Sequence, residues 1–183
     1  CRISDLGFEK TVPYIKAGVT EAELRTILEC AMLEAGSEGK SFDTIVASGW
    51  RSAYPHGTAT DKVIEEGDLV TFDFGAIYHG YHSDITRTVA VGEISERQRY
   101  IYDAVLGCNE HIEKILRAGL AAADVDQESR KYLKEKDLDK WFGHALGHSV
   151  GLEIHETPTL SPRDHTVLCT GMTETVEPGV YIP

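Results

Sequence analysis

Stretches patterned as helices alternate along the chain with runs patterned as strands. Residues 3–17 read as a first helix, interrupted or ended at Pro13, which has no N–H to donate. Thr20 followed by Glu23 is a capping box that opens a second helix, ending near Gly36. Ser95 and Gln98 repeat that pattern ahead of a long helix to about Arg117, with Gly119 just beyond. Asp124 is expected to cap a fourth helix through about Lys136. Runs rich in β-branched residues at 44–48, 69–78, 85–91, 153–155 and 172–182 read as strands. Helix pairs alternating with groups of strands predict a mixed α/β or α+β domain. No low-complexity tract or Pro/Gly/Ser linker interrupts it, so the chain reads as one continuous domain.

One pattern occurs twice. Gly67 and Gly75 bracket a strand-like run that holds Asp73, and Gly171 and Gly179 bracket another that holds Glu177 at the matching place. Both runs follow helices. If the echo is genuine, the chain has two related halves, each presenting a carboxylate from a corresponding strand.

Composition adds boundaries. A chain of 183 residues, 42% hydrophobic and 26% charged, has the make-up of a soluble globular domain with a sizeable core. A net charge of −12 disfavours nucleic acid as a partner, because neutralising phosphates needs clustered Lys and Arg. No apolar run is long enough for a membrane span. The cysteines at 1, 30, 108 and 169 form no CxxC pair, which points to a reduced, cytoplasmic setting. The chain starts at Cys1 and stops inside a strand-like run at Pro183, so both ends read as cut.

Candidate chemistry is concentrated in residues 143–156, which hold His144, His148 and His155 among glycines. Imidazole is the commonest protein metal ligand and the usual acid or base near neutral pH. Three carboxylates are equally conspicuous. Asp73 lies between Phe72 and Phe74 and Glu177 between Val176 and Pro178, in runs where a plain strand would not want a charge. Asp84 heads the next strand-like run, and a turn around 78–80 would bring it beside Asp73 across a hairpin. Adjacent carboxylates repel unless a cation lies between them; the plainer readings for Asp84 are a salt bridge from Arg87 or a turn cap. His148 alone would read as a structural histidine. Beside these carboxylates it reads as a ligand in an oxygen-dominated site, suited to Mn2+ with Co2+, Fe2+ or Zn2+ as alternatives. There is no HExxH motif, and Gly143 and Gly147 argue against His144 and His148 forming a helical zinc pair.

Pro55–Gly57, Asp73–Gly75, Ser83–Thr88, residues 143–156 and residues 171–183 together resemble the pita-bread metallopeptidases, in order along nearly the whole chain. Within that family the chain is most similar to the Xaa-Pro branch, aminopeptidase P and Xaa-Pro dipeptidase (prolidase). The resemblance implies an α+β pita-bread fold with two pseudo-symmetric halves and a curved, mostly antiparallel sheet covered by helices. It implies an Xaa-Pro metalloaminopeptidase or dipeptidase using a water activated by two divalent metal ions. Asp73, Asp84, His148 and Glu177 fall on the family's metal ligands. His56, His144 and His155 fall on its substrate-binding and proton-handling histidines, with Glu177 also relaying a proton. Thr86 and Arg87 would orient the carboxylates. The expected partners are proline-containing di- or oligopeptides and a second copy of the full-length protein. Residues 1–183 are expected to be a single catalytic domain truncated at both ends. The branch's N-terminal domain would precede Cys1, and a fifth ligand, a glutamate, would follow Pro183. Ser149 stands where glycine is usual, and Glu174 where an apolar residue is common. The alternatives are a non-catalytic relative acting as a binding module, a methionine aminopeptidase, or a creatinase-like hydrolase.

Overall fold

Helix α1 (Arg2–Thr11) ends where Pro13 enters, and Val12–Tyr14 tighten into a 3-10 turn. Helix α2 (Glu21–Glu34) opens as its sequence predicts. Thr20 Oγ1 accepts from the Glu23 N–H at 3.1 Å, and the Glu23 carboxylate accepts from the Thr20 N–H at 2.7 Å. The computed structural model describes residues 1–183, which form two compact units, Cys1–Ser95 with Pro183 and Glu96–Ile182. No helix is long and apolar enough to cross a membrane.

In the first unit the strands are β1 (Gly39–Lys40), β2 (Ile45–Ser48), β3 (Leu69–Phe74), β4 (Ala76–Tyr78), β5 (Tyr81–His82) and β6 (Ile85–Ala90). They form two antiparallel sheets, ordered β2-β3-β6 and β1-β4-β5. Side chains alternate along β3, so Val70, Phe72 and Phe74 are fully buried against Leu24, Leu28 and Met32 of α2. Asp73 and Thr71 lie on the other face and are half-buried. The run expected as one strand over 69–78 is divided at Gly75, where a Cβ would overlap the Ser83 carbonyl oxygen. This close approach lets the chain leave one sheet and enter the other. His79 and Gly80, both at positive φ (53° and 77°), make the tight turn between β4 and β5. The Glu38 carboxylate accepts both of their N–H groups.

The second unit contains α3 (Glu96–Ile115), α4 (Ala122–Lys134), β7 (Gly147–Ser149) and β8 (Glu156–Leu160), the two strands being antiparallel. Its core includes Ala104, Cys108 and Ile112 of α3, Val125 and Leu133 of α4, and Leu146 and Leu160. Three local expectations are corrected. Ala121, not Asp124, occupies the N-cap of α4; Asp124 lies in the first turn, where its charge still meets the positive end of the helix. Residues 153–155 are bends rather than a strand, because the Glu156 side chain accepts the Glu153 N–H at 2.9 Å and folds them back. Residues 172–182 run beside β7 without forming a regular strand. The Thr175 and Glu177 N–H groups donate to the carbonyls of His148 and Leu146. The His148 N–H, however, donates to the Thr175 hydroxyl instead of to a carbonyl, so regular pairing is confined to Ser149 opposite Glu174, where the Val150 N–H donates to the Thr173 carbonyl.

The internal echo is visible in the backbone of each unit. Gly18 donates to the Ile64 carbonyl at 2.9 Å, and Ile64 donates to Val19. Gly119 donates to the Leu168 carbonyl at 2.8 Å, and Leu168 donates to Leu120. Both glycines, and Gly67 and Gly171 after them, adopt positive φ. The same frame thus leads into the Asp73 run and into the Glu177 run.

Candidate active site

His148 is the middle residue of β7. Its Nδ1 lies 3.0 Å from the Ser149 carbonyl oxygen. A carbonyl can only accept, so Nδ1 carries a proton, and once the ring is deprotonated its lone pair lies on Nε2. That Nε2 is 3.4 Å from Glu177 Oε1, with side-chain exposures of 13% and 31%. Two lone-pair atoms held this close in a half-buried place are stabilised by a cation or a proton between them. One imidazole with its tautomer set by a backbone carbonyl, facing a carboxylate, fits a divalent metal.

Thr175 completes this arrangement. Its hydroxyl donates to Glu177 Oε1 at 2.5 Å and accepts the His148 N–H at 3.0 Å. Gly147 allows the close packing, since a Cβ there would overlap the Thr175 carbonyl oxygen. Ser149 and Glu174, the two positions that depart from the pita-bread pattern, are bonded to each other, Ser149 Oγ donating to Glu174 Oε1 at 2.7 Å. Burial raises the Glu174 carboxyl from its ordinary value, against the lowering influence of the Ser149 hydroxyl and of a protonated His148.

The other histidines are placed differently. His155 is exposed, and its ring meets that of His148 edge-on with centroids 4.5 Å apart. His144 uses both nitrogens: Nδ1 donates to the Ala145 carbonyl at 2.7 Å, and Nε2 accepts from the Tyr181 hydroxyl at 3.0 Å. The ring is therefore held by the protein rather than offered as a ligand. The backbone around it is clamped from α4. Asp126, fully buried, pairs with Arg130 one turn later and accepts the Leu146 N–H; Arg130 donates to the carbonyls of Phe142 and His144.

In the first unit, Asp73 pairs across the sheet with Thr86, and Asp84 stands two residues before Thr86, just ahead of β6. The two aspartates are thus diagonal neighbours and not directly opposed, a spacing still within reach of a shared cation. The same register places Thr86 on the face of Asp73 and Arg87 on the face of Phe72. The guanidinium of Arg87 turns back to the Thr86 carbonyl. His56 is exposed on a loop whose two ends are tied to one buried carboxylate. Glu21 accepts from the N–H and hydroxyl of Ser48, from the N–H and hydroxyl of Thr60, and from Arg51, which also donates to the Thr58 carbonyl.

The structure thus brings His148, His155 and Glu177 together in one unit and Asp73 and Asp84 in the other, with His144 and His56 on clamped loops. Sequence reasoning missed Thr175, Tyr181 and the two clamps. The i, i+4 spacing of Asp126 and Arg130 was a readable signal, but the carbonyls they hold were not.

Comparison with known proteins gives this arrangement its context. The chain is 47% identical to the Xaa-Pro dipeptidase of Pyrococcus furiosus over all 183 residues, which cover 53% of that protein. An Xaa-Pro dipeptidase structure from Bacillus anthracis matches with a TM-score of 0.98 and 51% identity, over 100% of this chain and 51% of that one. An X-Pro aminopeptidase structure from Thermotoga maritima matches at 0.96 and 46%, over 99% of this chain and 51% of that one. The fold shared with them is the pita-bread fold expected from the sequence. The chain spans about half the length of the curated relatives it matches. Metallopeptidase family M24 matches residues 1–183 in full. The chain belongs to metallopeptidase family M24.

Proposed function

We propose that the protein is a hydrolase that cleaves the bond between an N-terminal residue and proline, an Xaa-Pro dipeptidase or aminopeptidase. The observation that carries this reading is the His148 lone pair aimed at Glu177, a metal-ready pair in a chain of the M24 family. The names of the Pyrococcus and Bacillus relatives support a proline-containing dipeptide as substrate. Asp73, Asp84, His148 and Glu177 are the donors we assign to two divalent ions, Mn2+ in the first place given their oxygen-rich set. Such ions supply Lewis acidity, lowering the pKa of a water and offsetting charge that develops on the substrate oxygen.

The chain's own groups do the rest. As water adds to the peptide carbonyl carbon, Glu177 takes its proton; when the C–N bond breaks, that proton goes to the proline nitrogen. His155 and His56 donate to the carbonyl oxygen as it gains charge. His144, oriented by Tyr181, lines the place where the proline ring sits. We further infer that the full-length protein works as a cytoplasmic homodimer, a reading supported by the resemblance and by four free cysteines. The test is to strip the full-length protein with a chelator, then assay an Xaa-Pro dipeptide and an Xaa-Pro tripeptide with and without added Mn2+. Activity that survives chelation, or none after metal is restored, contradicts the reading.

A further inference from the structure

Ser149 is restrained through two different groups. Its carbonyl oxygen accepts the His148 Nδ1 proton at 3.0 Å, which sets the tautomer and the plane of the imidazole. Its hydroxyl, on a residue only 6% exposed, donates to Glu174 Oε1 at 2.7 Å. Glu174 lies on the same irregular segment as Glu177. That segment meets β7 through a single isolated bridge, Ser149 to Glu174, closed on one side by the Thr175 N–H to the His148 carbonyl and on the other by the Val150 N–H to the Thr173 carbonyl. The side-chain bond therefore adds a third link at the one place where the segment and β7 pair regularly.

Glu174 is poorly explained as a plain stabilising residue. Its second oxygen, Oε2, is buried and accepts no hydrogen bond. An apolar side chain would fill the same space without burying an orphaned carboxylate oxygen, so a carboxylate there is costly for packing alone. What it does provide is an acceptor for the Ser149 hydroxyl. We propose that Glu174 is a positioning residue for the metal centre: through Ser149 it fixes the peptide whose carbonyl orients His148, and it locks the segment that carries Glu177 to β7. This inference rests on the assignment of His148 and Glu177 as metal ligands.

The experiment uses the full-length protein with Co2+ alone, reading its affinity and its visible absorption band, which reports ligand geometry. In Glu174→Val, Co2+ affinity falls by about 10-fold or more and the band shifts, as expected when the orienting partner of a ligand is lost. Glu174→Gln, which can still accept from Ser149, retains the wild-type band and affinity. Ser149→Ala, which keeps the carbonyl and removes only the hydroxyl, moves both readouts as Glu174→Val does, and the double variant is no worse than either single one. If Glu174→Val does not fold, Ser149→Ala decides alone. Wild-type binding with an unmoved band and affinity in the folded variants overturns the positioning role and leaves the metal assignment standing. Absence of Co2+ binding in the wild type, or full binding by His148→Ala, overturns the metal assignment and this inference with it.

Discussion

Nε2 of His148 faces Oε1 of Glu177 at 3.4 Å, although the imidazole proton is committed to the Ser149 carbonyl on the opposite side of the ring. The pair is thus poised to share a cation, and that separates the roles of two neighbouring histidines.

His148→Ala in the full-length protein should lose bound metal and turnover together, read by elemental analysis and an Xaa-Pro dipeptide assay. His155→Ala should keep its metal while turnover falls by about 100-fold or more, the usual size of a lost proton donor. Unchanged metal content in the first variant, or lost metal in the second, would reverse the assignments.

Two ion pairs should differ in worth. Arg130→Met strands the fully buried Asp126 and frees two carbonyls, so it should destabilise the protein by about 3 to 5 kcal/mol. Lys10→Met removes a solvent-exposed partner of Glu34 and should cost less than about 1 kcal/mol. Denaturant midpoints of the two variants compare them directly, and equal shifts would show the clamp to be unimportant.

The Asp164 carboxyl is held down to about 2, first by the Thr166 hydroxyl and then by the N–H groups of Thr159 and Thr166. A carboxyl whose folded pKa lies below its unfolded value of about 4 contributes stability above that value and loses it as pH falls towards 2. The stability difference between wild type and Asp164→Asn should therefore shrink between about pH 4 and pH 2. A difference that stays constant over that window would argue against this origin.

Burial pushes the Cys108 thiol up to about 12. Alkylation of the native protein followed by peptide mapping should label Cys1, Cys30 and Cys169, which are exposed, and spare Cys108 until denaturant is added. Native labelling of Cys108 would mean that the core between α3 and α4 opens readily.

What was legible in the sequence was what depends on near neighbours. The Thr20 capping box, the break at Pro13 and the turn at His79–Gly80 each involve residues within a few positions, and each is found as read. The repeated glycine frame was legible too, because each half writes it locally. Residues 172–182 were misread as a strand because regular pairing depends on which groups the distant β7 offers, and Thr175 answers the His148 N–H with a hydroxyl. The Ser149–Glu174 bond joins positions 25 apart, and no local pattern announces it. Candidate site residues were easier to find than the groups holding them, since a carboxylate in an apolar run is conspicuous and a backbone carbonyl never is.

The Glu21 knot has a consequence for folding. Both ends of the His56 loop, at Ser48 and Thr60, are fastened to one side chain of α2. Docking of that helix on β2 adds these bonds to the Ile45–Thr58 bridge and the Arg51–Thr58 bond, and so helps to offset the entropy of closing the loop. The loop is therefore coupled to α2 and loosens when the helix lifts.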